Sequence, residues 1–322
     1  MAIPTPGLSG GSERTTVLWP SGKAPRLGGR YDRTVWLFFG PAALLLIVFL
    51  VIPTIYTFLL SFNRGRQGNF TEWVGLDNYA TLLNDKSFIN LSTFPPSGAI
   101  VNNVLWGIFY VGAVIFLGLI VAVVAQRVRY ESLIKAIVFL PMAISATALA
   151  VIWNLMYAPD NNIGLLNALI APFAGSVSWL GNPAIVNWAL IAAGVWGSVG
   201  FATVILSAAL KGIPAEIIEA AHVDGASEIQ IFFRIIVPLV SLPMSVLAVT
   251  LVVNVVKLFD LIYVLTKGGP GVSSRVIAFT MYQQTFPGGQ YGQGAAIAVV
   301  MLLLLLPIMA YNVRRFRTSA VV

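Results

Sequence analysis

Long apolar stretches alternate with short polar segments along most of this chain. Six of these stretches lie near the length of about 20 residues that a helix needs to cross a bilayer. They cover residues 35–62, 100–126, 136–157, 185–210, 240–265 and 294–313. Pro41 and Pro53 predict kinks in the first stretch, and Pro238 with Pro243 predicts a bend at the entry to the fifth. The pattern therefore predicts an all-α polytopic membrane protein with six transmembrane helices.

The composition supports this fold class. Of the 322 residues, 58% are hydrophobic and only 10% are charged, and the mean hydropathy is +0.86. These values are far from those of a soluble domain. The chain contains no cysteine, which excludes a disulfide framework, a thiolate metal site and a cysteine nucleophile.

The basic residues predict which ends of the helices face the cytoplasm. The net charge is +7, but the basic residues flank apolar stretches, which indicates a topology signal and not a nucleic-acid surface. With both termini inside, the cytoplasmic segments hold Arg14, Lys23, Arg26, Arg30, Arg33, Arg127, Arg129, Lys135, Lys211, Arg234, Arg314, Arg315 and Arg317. The outer segments hold Arg64, Arg66, Lys86, Lys267 and Arg275. The positive-inside rule therefore predicts cytoplasmic termini, and a cytoplasmic loop at residues 211–239.

That loop is the most charged segment in the second half of the chain. Pro214 suits the first turn of a helix, where its missing N–H costs nothing, and Gly225 can end that helix or turn it into a second one. We therefore predict two short helices with a bend near Gly225. The small side chains of Ala220 and Ala221 would let another protein approach closely.

The loop also carries a motif. Glu219, Ala220, Ala221 and Gly225, followed by Ile235 and Pro238, reproduce the EAA…G…I.LP pattern, with Val237 where the pattern usually has Leu. In this the chain resembles the permease subunits of binding-protein-dependent ABC importers. Three further stretches resemble the carbohydrate-uptake branch of that family: VGLDNY at 74–79, WLGNP at 179–183 and FDLIYVLTKGGPG at 259–271. The resemblance covers residues 35–316, and GQYGQGAAIAV at 289–299 favours α-glucosides or similar oligosaccharides.

The resemblance implies a type I ABC importer permease fold in the bacterial cytoplasmic (inner) membrane. It implies that residues 211–239, which we call the coupling loop, meet an ATPase through a set of residues led by Glu219. That set is Glu219, Ala220, Ala221, Asp224, Gly225 and Ala226. The implied partners are a second permease subunit, two ABC ATPase subunits, an extracytoplasmic sugar-binding protein and membrane lipid, with no nucleic acid. ATP and Mg²⁺ would bind the ATPases, so this chain would bind no cofactor and catalyse no reaction.

Polar residues inside the spans predict a translocation pathway, because burying them in lipid without partners is costly. In the fifth span Asn254 and Lys257 share one helical face, and Asp260 follows one turn later, close enough for an i, i+3 ion pair with Lys257. These three residues line the pathway in one interpretation; in the other, the ion pair locks the helix against a neighbour. Trp196 lies in a glycine-rich part of the fourth span and either reaches the pathway or packs against lipid and protein.

The remaining segments define the domain organisation and an alternative function. Residues 1–34 are predicted to be a disordered basic cytoplasmic tail, 35–316 the permease domain and 317–322 a C-terminal tail. An ion-coupled secondary transporter of small solutes is the alternative function, with Asp260 as the sole acidic candidate within a span. His222 is the only histidine and has no partner for a metal site. The chain also lacks the His, Asp or Glu cluster of a membrane-embedded enzyme.

Overall fold

The computed structural model describes residues 31–66, 68–92 and 97–319. Of the predicted N-terminal tail, residues 1–30 lie outside this part of the chain, and Tyr31 already begins a helix. Packing divides the described chain into two units, with the boundary between Thr54 and Ile55. Helix α1 (Tyr31–Leu46), a π-helical turn (Ile47–Val51) and α2 (Ile52–Leu60) come first in the described chain.

The rest of the described chain is helical, with isolated β-bridges and no strand. In chain order the helices are α3 (Asp77–Asn84), α4 (Ala99–Leu105), α5 (Val111–Gln126), α6 (Glu131–Phe139), α7 (Ala146–Met156), α8 (Leu165–Ala174), α9 (Val186–Leu210), α10 (Ala215–Val223), α11 (Glu228–Ile231), α12 (Val237–Leu239), α13 (Ser241–Val256), α14 (Asp260–Leu265), α15 (Ile277–Thr285) and α16 (Tyr291–Ser319). Short turns of other helix types lie between some of them: π turns at Trp106–Tyr110 and Phe232–Ile236 and a 3-10 turn at Leu140–Ala143.

Four helices of the described chain are long and apolar enough to cross a membrane, namely Trp36–Leu60, Ala99–Gln126, Val186–Leu210 and Tyr291–Asn312. Two further pairs pass the same test together but are bent, Glu131–Ala143 with Ala146–Met156 by 99° and Glu228–Leu239 with Ser241–Val256 by 70°. Counting each pair as one span gives up to six. The predicted all-helical polytopic fold is confirmed, and the side of the membrane that holds the termini stays a prediction.

The two bends have local causes. After α6, a 3-10 turn begins at Leu140 with Pro141 as its second residue, and Ile144 is extended. Ser145 can then cap α7 by accepting a hydrogen bond from Ala148 N at 3.2 Å. The predicted third span is therefore a broken one. Near Pro238, the backbone leaves the helical region at Val240 before α13 begins, which confirms the predicted bend into the fifth span.

The fifth span differs from its prediction at its other end. Helix α13 ends at Val256, Lys257 is its C-cap, and Phe259 leaves the helical region with φ −137° and ψ −58° before α14 starts. Residues 240–265 therefore do not form one continuous helix, and the polar stripe predicted along that face is interrupted between Asn254 and Asp260.

Helix α9 lies in the main core and packs closely against α5. A Cβ atom at Gly118 of α5 would stand 2.5 Å from the Ala202 Cβ atom, and one at Gly200 would stand 2.4 Å from the Val138 carbonyl oxygen. Small residues of the fourth span and its neighbours therefore permit close helix crossing.

A second, smaller hydrophobic core brings together α3, α15 and α16. Leu82 from α3, Phe88, Ile277 from α15 and Ile297 from α16 are buried together there. Asn102 links α4 to the loop before α15 by hydrogen bonds: its side-chain amide donates to the carbonyl oxygens of Ser273 and Arg275 at 2.8 and 2.7 Å. These bonds replace water for the backbone of a buried segment that has no regular structure.

Candidate functional site

The coupling loop begins with helix α10. Pro214 precedes this helix with φ −58°, and Gly225 follows it with φ +77°. Ala226 N donates to Ala221 O at 3.0 Å, which closes the end of the helix in the way that a left-handed glycine permits. A Cβ atom at Gly225 would meet nothing within 4 Å, so the backbone conformation alone requires glycine there.

A second short helix then begins the bent candidate span that continues into α13. Ser227 and Gln230 form a reciprocal capping box, in which Ser227 N donates to Gln230 Oε1 at 2.9 Å. Helix α11 continues through the π turn to α12 and the bend before α13. The predicted pair of helices with a bend at Gly225 is confirmed.

The coupling residues divide by exposure. Glu219, Ala220, Asp224 and Gly225 are exposed, and Ala226 is half-buried. Ala221 is buried and belongs to the main hydrophobic core. The expectation that both alanines face a partner is therefore wrong. One side of helix α10 packs against its own chain, and Ala221 lies on that side. Ala220 is the alanine that a partner can contact.

The loop's acidic residues also divide by their partners. Glu228 accepts from the Arg127 guanidinium and lies 3.7 Å from His222 Nε2. Glu216, Glu219 and Asp224 form no ion pair with any residue that the structure describes. Three exposed carboxylates are thus available for a basic surface of another protein.

A cavity of about 220 Å³ lies between the spans. Its walls come from four parts of the chain: the π turn before α5, the break between α6 and α7, α9, and the break after α13. The lining residues are Trp106, Tyr110, Pro141, Met142, Ile144, Ala146, Leu149, Gly194, Gly197, Ser198, Asn254, Val255, Leu258 and Leu261.

The π turn and α9 supply an aromatic wall with polar atoms. Trp106 and Tyr110 stand at the two ends of the turn, and the Tyr110 hydroxyl lies 2.8 Å from the Ser198 hydroxyl. Gly194 makes room for the indole, since a Cβ atom there would stand 2.9 Å from the Trp106 ring. Trp106 Nε1 is buried and has no hydrogen-bond partner in the described chain. An unpaired buried donor is costly, and because this atom has no exposed surface, a ligand or water can bond to it only when the neighbouring side chains shift.

Asn254 of α13 supplies a further polar group to the cavity. Its side chain is exposed, lines the cavity and makes no hydrogen bond to a described residue. Both its oxygen and its nitrogen are thus free to bond a solute. Of the four residues predicted for the pathway, Asn254 is the one that reaches this cavity.

The other three predicted pathway residues lie elsewhere. Lys257 lines a separate pocket of about 300 Å³ with Phe259 and Tyr282, Asp260 is exposed in the first turn of α14, and Trp196 packs edge-on against Trp153. Lys257 and Asp260 form no ion pair with each other. The predicted pairing is wrong, because the helix that should have carried both residues ends at Val256.

The sequence analysis did not identify three of the cavity residues, Trp106, Tyr110 and Ser198. The signal for the first two is a pair of aromatic residues with polar atoms, four positions apart in an apolar stretch, which places them on one side of a helix. No group of three or more His, Asp or Glu residues that could hold a metal ion occurs in residues 31–66, 68–92 and 97–319.

Similarity to known proteins decides the family. Residues 114–317 match the family described as "Binding-protein-dependent transport system inner membrane component". The chain belongs to this family. It is 43% identical over 284 residues to the osmoprotective compounds uptake permease protein GgtC of Synechocystis, covering 87% of this chain and 97% of that protein. It is 41% identical over 285 residues to the alpha-glucoside transport system permease protein AglF of Rhizobium meliloti, covering 87% and 81%.

A solved structure supports the same fold. The chain superimposes on a chain of a bacterial alginate ABC transporter, in complex with an alginate pentasaccharide-bound periplasmic protein, with a TM-score of 0.72. The match covers 88% of this chain and 93% of that one at 22% identity. The predicted permease fold is confirmed, and the chain is a multi-pass transport component of a binding-protein-dependent system.

Proposed function

We propose that this chain is one of two permease subunits of an ATP-driven importer that carries α-linked glucosides or related oligosaccharides across a bacterial inner membrane. The relative named for alpha-glucoside transport supports this substrate class. The alternative of an ion-coupled carrier has no support in these similarities, and its one acidic candidate, Asp260, does not line the cavity.

The exposed Asn254 amide in this largely apolar cavity is the observation that carries the sugar assignment. A sugar ring has hydroxyl groups around its edge and apolar C–H faces. The Asn254 amide can both donate to and accept from such hydroxyls, and Trp106 Nε1, which is buried in this conformation, can donate to one once its neighbours shift. The rings of Tyr110 and Trp106 form part of the cavity wall that would contact the apolar faces. A mostly apolar cavity with a few convergent polar groups is the usual form of a small-molecule site.

The size of the cavity supports a second permease. Its volume of about 220 Å³ is below the range of roughly 300–1,000 Å³ that is typical of sites for small ligands. One chain therefore forms only part of the site for an oligosaccharide, and a second permease subunit would close the other side.

The coupling loop supports ATPase partners. Glu219 leads three unpaired carboxylates on an exposed helix whose ends are set by Pro214 and Gly225. Two ATPase subunits that bind ATP and Mg²⁺ would dock there through basic residues, and an extracytoplasmic binding protein would deliver the sugar. This chain would then move as the ATPases close and would itself hydrolyse nothing.

Reconstitution tests the proposal. The purified complex in liposomes, supplied with its binding protein and with ATP on the ATPase side, should accumulate an α-glucoside and stop when ATP is withheld. A panel of sugars offered to the binding protein should show which ones it retains. Uptake driven by a proton or sodium gradient without ATP would contradict the proposal, as would a binding protein that retains no sugar.

A further inference from the structure

Two groups of ion pairs link the coupling loop, on either side of helix α10 in sequence, to one short turn. Glu131 accepts from Lys211, at the start of the loop, at 3.1 Å and also pairs with Lys135. Glu228, just beyond Gly225, pairs with Arg127 and lies near His222. Helix α10, which carries Glu219, lies in sequence between Lys211 and Glu228.

Arg127 and Glu131 belong to the same connection, the turn between α5 and α6. Arg127 caps the end of α5 through its N–H to Val124 O at 3.1 Å, and Glu131 is the first residue of α6. One turn therefore presents a carboxylate to Lys211, before α10, and a cation to Glu228, after α10. Opposite charges at two points prevent α10 from rotating freely about either one.

The contribution of these pairs is to orientation more than to stability. The Arg127 and Glu228 side chains are each about half exposed, and exposed ion pairs contribute little to the free energy of unfolding. The hydrophobic contacts of Ala221 and Ile231, both buried, attach the loop to the core. The charges fix which way the attached loop faces.

We infer that Arg127 and Glu131 are positioning residues that transmit movement of the coupling loop to α5 and α6, and so to the cavity walls that these helices adjoin. The inference rests on the proposed function, since it assumes that ATPase movement enters through the coupling loop. By this route, movement of the loop passes along α5 to Trp106 and Tyr110 and along α6 to Pro141.

Charge reversal in the reconstituted complex tests this route. Arg127→Glu should place two carboxylates together and raise the number of ATP molecules hydrolysed per sugar imported by roughly fivefold, the lower end for coupling between two sites. The double variant Arg127→Glu with Glu228→Arg restores the pair in reverse and should return the ratio to that of the wild type. Arg129→Glu is the matched control: it makes the same charge change in the same turn at an exposed residue without an ion pair to the described chain, and should leave the ratio unchanged.

The outcomes separate this inference from the proposed function. A wild-type complex that imports no sugar with ATP contradicts the proposed function itself. An active wild type with a double variant that stays as poor as Arg127→Glu overturns the inference, and so does an Arg129→Glu variant that is equally impaired. If Arg127→Glu alone fails to assemble, recovery of assembly and of the ratio in the double variant still supports the pairing, and failure to recover overturns it.

A crosslink gives a second test that does not depend on charge. The chain has no cysteine, so Arg127→Cys with Glu228→Cys can be joined by a bifunctional thiol reagent whose reducible spacer replaces the length of the two side chains; a direct disulfide would need Cα atoms within about 7 Å of each other. If the turn and the loop move together, the crosslinked complex should import sugar at a rate within about twofold of the complex before crosslinking. Inhibition on crosslinking that a reductant relieves would show that the turn and the loop slide past each other, which would overturn the inference.

Discussion

The coupling loop and the cavity both place polar groups beside apolar helices, but they do so by different means. In the loop, neighbouring residues set the geometry: Pro214 and Gly225 bound α10, and Ser227 caps α11. In the cavity, Trp106, Ser198 and Asn254 come from three spans that are far apart in sequence. Local backbone rules are thus sufficient to form the short helices and the bend of the loop, whereas a binding cavity depends on how whole helices are rotated against one another.

To meet an ATPase, the coupling loop must face the cytoplasm. Cysteine labelling tests this orientation with an all-or-none result. Val223→Cys, at a residue that is 89% exposed, should react only with reagents that reach the cytoplasm. Val272→Cys, in the loop after α14, should react only with reagents applied outside. The reverse labelling would overturn the predicted orientation.

The largest effect on transport should come from the loop. Glu219→Lys should leave membrane insertion intact and reduce uptake by roughly 30-fold or more, since it sets like charges together at a docking contact. Glu216→Lys is the matched control, because Glu216 is also an exposed, unpaired carboxylate on α10. Equal loss in both variants would mean that net charge and not the position of Glu219 matters, and normal uptake by Glu219→Lys would remove its role.

Gly225 tests whether the loop depends on local conformation alone. Gly225→Leu forces a branched side chain into φ > 0 and should reduce coupled uptake by roughly 5- to 30-fold. Gly225→Asn should stay near the wild type, because asparagine visits this conformation readily and a Cβ atom there meets nothing within 4 Å. If both variants are equally impaired, a close contact with a partner and not the backbone conformation requires glycine.

The cavity should respond to the loss of single hydrogen bonds. Asn254→Leu and Trp106→Phe should each weaken the apparent affinity for sugar by about fivefold, corresponding to about 1 kcal/mol for one hydrogen bond, with the complex still assembled. Trp153→Phe is the matched control, since Trp153 Nε1 is also buried and unpaired but lies outside the cavity lining. An effect of Trp153→Phe as large as that of Trp106→Phe would show that packing explains both.

The smallest effect should come from Lys257. With no ion pair to Asp260, Lys257→Leu does not strand a buried carboxylate and should change the free energy of unfolding by at most about 0.5 kcal/mol. Thermal unfolding of the solubilised chain measures this. A loss of several degrees that the additional change Asp260→Leu reverses would show that the two residues do pair.

Most of the fold could be predicted because its determinants are local. Apolar length indicates the spans, and the bend at Pro238 follows from a missing N–H. The break between α13 and α14 has no such local determinant. Nothing in residues 250–260 is a strong helix breaker, yet α13 ends at Val256, where Asn103 Nδ2 donates to Val255 O at 2.9 Å and its Oδ1 accepts from Ile277 N at 2.7 Å. A side chain 152 residues away takes part in that arrangement.

Sequence patterns were sufficient to predict the all-helical membrane fold, the coupling loop with its bend at Gly225, and the family, because apolar periodicity, capping residues and short motifs act over a few neighbouring positions. Packing in three dimensions was needed to establish that Ala221 faces inward and Ala220 outward, that Asn254 reaches the cavity while Lys257, Asp260 and Trp196 do not, and that Trp106, a residue of the cavity wall, has a buried and unpaired N–H. Each of these outcomes depends on the rotation and end point of a helix, which are set by packing against residues distant in sequence.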